Sequence, residues 1–165
     1  MMGNRQDDDV MKMLLGGLIG AALASPKIED KQDLERYRQM QRDIAEKQKK
    51  VGDLSYIAKL LKDPRYNESF VEAFRMYLFG FYRGSVILSS AIIECLLKDK
   101  YGDKDFYNLI EEAKKQNFID QTDYHFLHAI RTQRNFSAHD VLKKVTEDDA
   151  VLVIRIVNKI MYKFI

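Results

Sequence analysis

An all-α fold, an up-and-down bundle of four to five helices preceded by a helical extension, is predicted by three features of this 165-residue chain. Turn-forming residues are scarce, apolar residues recur at helical spacing through roughly the last hundred positions, and capping residues stand at the head of most of the apolar runs. The two prolines, Pro26 and Pro64, and the eight glycines, three of which crowd into residues 16–20, are too few for a sandwich or barrel with its frequent turns. A composition of 46% hydrophobic and 32% charged residues belongs to a globular protein and argues against disorder of the whole chain.

Residues 1–62 read as an N-terminal extension and 63–165 as the helical domain. Within the extension, residues 13–24 run MLLGGLIGAALA, a stretch of twelve uncharged residues. That is too short for a membrane span of about 20 residues, and the preceding Asp7, Asp8 and Asp9 do not suit an export signal. Two readings stay open: a small-residue packing helix or weak membrane-surface contact, with Gly16 and Gly20 four apart, or an apolar tail docked on its own domain or a twin subunit. Residues 30–51 are a charged helix. Twelve of the 21 positions from Asp30 to Lys50 are charged, both signs are mixed, and Leu34, Tyr37, Met40, Ile44 and Val51 form one thin apolar stripe. Gly52-Asp53 ends it, and Ser55 to Leu61 is expected to add a short helix before Asp63-Pro64.

In the domain, Asn67 is the expected N-cap of a helix carrying Phe70, Val71, Phe74, Tyr77, Leu78 and Phe81. Gly84 allows a break or a tight contact before a very apolar helix, Val86 to Leu97, that ends at Gly102. A shorter amphipathic helix starts at Asp103 or Asp105 and runs through Phe106, Leu109, Ile110 and Ala113 to the cations Lys114 and Lys115. Asp120 and Asp123 stand at N-cap and N3 spacing for a helix reaching toward His139, and Thr146 and Asp149 do so for the last one. The closing segment AVLVIRIVNKIMYKFI is rich in β-branched residues, yet Arg155, Lys159 and Lys163 lie four apart. That spacing makes a narrow polar strip on a helix otherwise apolar enough to be buried or to meet another subunit.

Charge and cysteine content narrow the function classes. The net charge of +2 is spread evenly, without a basic tail or acidic arm, so a broad phosphate-binding surface is not expected. The single cysteine, Cys95, excludes an internal disulfide framework and a cysteine-rich zinc module, and with no leader read in the chain the expected compartment is the cytoplasm. His125, His128 and His139 come without HExxH, paired-cysteine or EF-hand spacing, so neither a metal site nor a cofactor is expected.

The chemistry concentrates in residues 122–140, TDYHFLHAIRTQRNFSAHD, which hold all three histidines, two arginines and an asparagine. On a helix His128, Arg131, Asn135 and His139 fall at steps of three, four and four, one polar stripe with Arg134 and Ala138 beside it. Imidazole titrates near neutral pH, and a guanidinium holds phosphate and offsets charge developing on it, so the pair suits phosphodiester chemistry. A polar stripe on an amphipathic helix ordinarily just faces water, and His125 and His128 are read as surface or locally paired groups. Arg134 and His139, five residues apart, point about 140° from each other on a straight helix. They meet only if the helix ends or bends near Ala138, or through a partner subunit.

Arg134-Asn135-Phe136-Ser137-Ala138-His139, R-N-x-x-A-H near the end of the penultimate helix, resembles the R-x4-H motif of the HEPN superfamily. FYRGSVILSSAIIECLLKDKYG (residues 81–102), QNFID (116–120), AIRTQRNFSAHD (129–140) and TEDDA (146–150) together resemble a branch of uncharacterised small prokaryotic HEPN domains, over roughly residues 65–165. The resemblance implies a bundle that dimerises with its motif helices facing across a cleft. It also implies a metal-independent endoribonuclease of the kind used in toxin–antitoxin, phage-defence and RNA-processing settings. His139 would be the general acid or base, Arg134 would stabilise the scissile phosphate, and Asn135 would orient phosphate or imidazole. The products would be a 2′,3′-cyclic phosphate and a 5′-hydroxyl.

Three further residues are expected to support that site or to contact RNA. Glu94, a charge inside an apolar run, is costly to bury alone and calls for a salt bridge to Arg131 or Arg134. Arg131 either contacts phosphate or pairs with Glu94 or Asp140. Asp140 either sets the His139 tautomer or caps the helix end. The expected partners are a second copy, RNA, and a cognate antitoxin or assembly partner engaged through the N-terminal extension. The alternative of another class is a non-catalytic binding or dimerisation module within a larger assembly, in which the same residues hold a nucleotide or the dimer.

Overall fold

A computed structural model describes residues 31–52 and 63–164 of the chain. The apolar segment 13–24 and the short helix expected over residues 55–61 lie outside the described residues. The chain divides into two compact units, Met1–Lys62 and Asp63–Ile165. The described residues are all helix and connecting turn, with no strand among them.

In the first unit, α1 (Lys31–Val51) is the expected charged helix. Its polar faces are tied by short-range pairs such as Arg42 with Glu35 (3.2 Å) and Gln39 with Asp43 (2.7 Å). The stripe positions are the sheltered ones: Ile44 and Val51 are buried, and Leu34, Tyr37 and Met40 are half-buried.

The second unit is a five-helix bundle: α2 (Pro64–Leu78), α3 (Tyr82–Tyr101), α4 (Phe106–Lys115), α5 (Gln121–His139) and α6 (Glu147–Met161), closed by a 3-10 turn, Tyr162–Phe164. Helix α3 is the hub and packs against all four others; α2 also meets α6, and α5 meets α4 and α6. The very apolar run read in the sequence is therefore central because it must be covered from every side: Val86, Ile93 and Leu97 have no exposed surface. The apolar faces of α6 are mostly covered within the chain's own bundle, with Val157, Ile160 and Met161 fully buried, and only Leu152 remains half exposed.

Two boundaries differ from the sequence reading. Helix α2 starts three residues before Asn67: Asp63 is the N-cap and its side chain accepts from the Arg65 N–H (3.1 Å), while Pro64 occupies N1, where a missing N–H costs nothing. Asn67 lies inside the helix. The break between α2 and α3 falls at Gly80, whose φ of +83° is left-handed, so Phe81 leaves the predicted apolar face and stands 68% exposed. Gly84 instead sits within α3 at a close crossing: a Cβ there would lie 2.8 Å from the Met76 sulfur. Of its two predicted uses, the tight contact is the one realised.

The other starts follow their capping residues. Asp105 accepts from Asn108 N–H (3.0 Å) and Asp120 from Asp123 N–H (2.7 Å), and Thr146 with Asp149 forms a reciprocal capping box (3.2 and 2.8 Å). Asp123 does more than stand near a cap. It is fully buried, and its carboxylate meets Lys159 (2.6 Å) and Lys163 (3.0 Å), the polar strip of the closing segment. Burial pushes this carboxyl up, but the two ammonium groups outweigh burial and hold it below the usual carboxylate range.

Candidate functional site

The polar stripe of α5 faces two neighbours, α3 and α4, and its residues divide between them. Arg134 turns to α3, where its guanidinium donates to Glu94 Oε2 (3.1 Å). The Glu94 side chain is 15% exposed and also meets Lys98 (3.5 Å), which in turn reaches Asp103 (3.1 Å). The costly acid inside the apolar helix is thus answered by Arg134 of the motif, and Arg134 is held by an acid rather than left to swing in water.

Arg131, one turn earlier, turns to α4. It pairs with neither Glu94 nor Asp140, correcting both expected partners; its guanidinium lies over the Tyr107 ring, 5.5 Å from the centroid. The reason is position along α5. Glu94 is already taken by Arg134, and Asp140 lies beyond the end of the helix, turned into the following loop. His128, a further turn back, packs at a tilt against Tyr107 (5.3 Å) and edge-on against Tyr124 (4.5 Å) and approaches Glu111 (3.3 Å). Glu111 accepts the Tyr124 hydroxyl as well (2.7 Å), a bond that raises the Tyr124 phenol above its ordinary pKa. His125 sits on the surface beside Gln121 (2.9 Å). Both histidines are locally paired.

His139 is the last residue of α5 and is exposed. The helix does end near Ala138, but one residue too late to swing the imidazole round to Arg134: α5 stays helical through His139, and the Asp140 N–H closes it on Phe136 O (2.9 Å). Arg134 and His139 therefore do not meet within one chain. Asn135 is half-buried on the same face as His139, and among the described residues neither side chain has a hydrogen-bond partner. Asp140 does not orient His139. Its carboxylate accepts from the N–H groups of Leu142 and Lys143 (both 3.1 Å), forming a tight turn just past the helix.

Sequence reasoning missed Arg83. From the first turn of α3 its guanidinium donates to four carbonyls around the motif: Ser137 (2.5 Å), Asp140 (3.0 Å), Val141 (3.5 Å) and Lys143 (2.5 Å). Carbonyls at a helix end lack intrahelical donors, and a cation there also suits the helix dipole. Arg83 thus closes the end of α5 from outside and fixes the backbone on either side of His139. The available signal was a lone arginine at the head of an otherwise apolar helix. The turn it clamps displays Val141 and Leu142, 81% and 93% exposed, and Lys143 lies over the neighbouring Phe136 ring (3.8 Å).

Among the described residues no group of three or more His, Cys, Asp or Glu side chains is placed to hold a metal ion, and no helix is long and apolar enough to cross a membrane. Chemically, the end of α5 offers an exposed imidazole and an unpaired amide, with the Glu94-held Arg134 beside the amide and Lys143 in the turn beyond, an arrangement suited to an anionic ligand. Neither a curated protein nor a solved structure matches the chain. A family match does exist, over residues 71–165; it spans more than half of the chain, takes in Arg83, Glu94 and all of α5, and shows that the protein belongs to the family described as Domain of unknown function (DUF4145).

Proposed function

We propose that the protein is a metal-independent endoribonuclease of HEPN type, acting as a homodimer in a toxin or phage-defence role. The observation that carries this reading is the hexapeptide R-N-x-x-A-H at the end of a helix whose last residue, His139, is exposed and whose backbone is clamped by Arg83. In the proposed reaction His139 takes the proton of a ribose 2′-hydroxyl. The 2′-oxygen then forms a bond to phosphorus while the bond to the 5′-oxygen breaks. The leaving oxygen is protonated by the imidazole of the second copy, giving a 2′,3′-cyclic phosphate and a 5′-hydroxyl. Arg134 offsets charge on the non-bridging oxygens, and Asn135 orients phosphate or imidazole. Because Arg134 and His139 diverge within one chain, the site needs both protomers.

The test is cleavage of a mixed-sequence RNA in EDTA across pH 5–9. Wild type is expected to cut, and His139→Ala and Arg134→Ala to lose at least about a hundredfold in rate, the scale of a general acid–base or oxyanion contact. Intact RNA with wild type, or equal cutting by His139→Ala, overturns the reading. A second reading, a non-catalytic binding or dimerisation module, is favoured by one observation: Arg134 already has Glu94 as its partner.

A further inference from the structure

The pairing of Arg131 with Tyr107 is unusual in what it lacks. Arg131 is half-buried and its Nε is fully enclosed without an acceptor, yet no carboxylate among the described residues takes its guanidinium. Buried charge is ordinarily paired. The nearest acid in sequence to Tyr107, Asp105, is occupied as the N-cap of α4 and accepts from the Asn108 N–H (3.0 Å) and side-chain amide (2.5 Å). Arg131 is therefore held by packing against Tyr107, with Asp105 acting on its charge through space rather than by a hydrogen bond.

Tyr107 is the complementary oddity. It is 47% exposed, yet it is propped by His128 (5.3 Å) and by Arg131 (5.5 Å), and His128 is itself steadied by Glu111 and Tyr124. An exposed aromatic ring held in place, with a guanidinium beside it that no carboxylate hydrogen-bonds, matches the chemistry that binds single-stranded nucleic acid. There bases stack on the ring and the cation takes the backbone. Arg131 also stands one turn of α5 before Arg134 and Asn135.

We propose that Tyr107 and Arg131 form a nucleobase-stacking subsite for single-stranded RNA, in which one base lies on the Tyr107 ring and its phosphate meets Arg131. The proposal rests on the ribonuclease reading and adds to it where the substrate extends: away from His139, along α5 and onto α4.

The experiment uses the full chain and a fluorescently labelled 2′-O-methyl oligoribonucleotide, which lacks the attacking hydroxyl, so binding is read apart from cleavage. Wild type, Tyr107→Ala, Tyr107→Phe and Arg131→Gln are compared by anisotropy, with thermal melts showing that each folds. Tyr107→Ala is expected to weaken binding about 5- to 100-fold, the range of one base–aromatic stack, and Tyr107→Phe to bind like wild type. Arg131→Gln should weaken binding and flatten its salt dependence. Wild-type binding that survives Tyr107→Ala, or that Tyr107→Phe also loses, overturns the subsite while leaving the ribonuclease reading intact. A wild-type protein with no measurable affinity for the oligonucleotide overturns the subsite and the ribonuclease reading together.

Discussion

Replacing Arg83 by methionine tests whether the end of α5 is held from outside. The substitution keeps an unbranched apolar stem and removes the guanidinium that serves the carbonyls of Ser137, Asp140, Val141 and Lys143. Those four bonds do not contribute equally. The one to Val141, at 3.5 Å, lies at the outer limit of a hydrogen bond, and the loop carbonyls of Asp140, Val141 and Lys143 are exposed enough for water to replace the lost donor. Ser137 is buried, so its carbonyl loses a charged donor with poor replacement, a loss of about 1.5–3 kcal/mol. Allowing about 0.5 kcal/mol more for the three exposed bonds together gives roughly 2–3.5 kcal/mol. For a unit of this size each kcal/mol moves the melting midpoint by about 4 °C, so a fall of about 8–14 °C is expected by calorimetry or circular dichroism. Hydrogen exchange should localise the effect, with the amides of Asp140, Leu142 and Lys143 exchanging faster while those in the middle of α3 keep their order of protection. A variant that melts within about 1 °C of wild type with unchanged exchange in this turn would refute the reasoning, because water would then satisfy those carbonyls as well as Arg83 does.

Three further perturbations test the rest of the bundle. The Asp123 carboxyl is held below its ordinary value of 3.8 in the folded state, so the folded protein binds fewer protons than the unfolded chain: the stability is fully present above the unfolded value and drains away as pH falls through the folded one. Asp123→Asn should therefore lower stability by about 2–4 kcal/mol at pH 7 and flatten its decline in acid, read from denaturant midpoints between pH 7 and pH 2; a parallel, undiminished acid dependence would count against this pair. Thr146→Ala removes half of a capping box and should cost about 1 kcal/mol, checked by urea melts, with no cost meaning that Asp149 or water caps α6 alone. Glu94→Gln takes the charged partner from Arg134 and Lys98 and should cost about 1–2 kcal/mol, since the pair is partly solvated; a stabilised variant would show that the acid is kept for something other than the fold.

How much of the domain was legible depended on whether the signal was local. Caps are local: Asp105, Asp120 and Thr146 act within three residues, and the helices they begin stand where the capping pattern put them. Asn67 misled because a good capping residue four positions past Asp63 competed with Asp63-Pro64, which reads as a break but also starts a helix. Phe81 misled because it continues the helical spacing of α2, whereas one left-handed glycine, Gly80, ends the helix before it. In the candidate site the stripe on α5 was visible as spacing, but spacing cannot say which neighbour each side chain will meet. Arg131 found a ring on α4, and Arg134 found an acid on α3.

By itself the sequence determined the helical class, the very apolar character of α3, the capped starts of α4, α5 and α6, and the hexapeptide that marks the end of α5. These depend on periodicity and on hydrogen bonds between residues a turn apart, which a single segment carries within it. Only the tertiary structure decided that Arg83 clamps the turn after His139, that Asp123 is buried between Lys159 and Lys163, and that Arg134 and His139 part company within one chain. Each of these joins residues more than thirty positions apart or turns on where a helix stops by a single residue, and both are settled by how the helices pack rather than by any one of them.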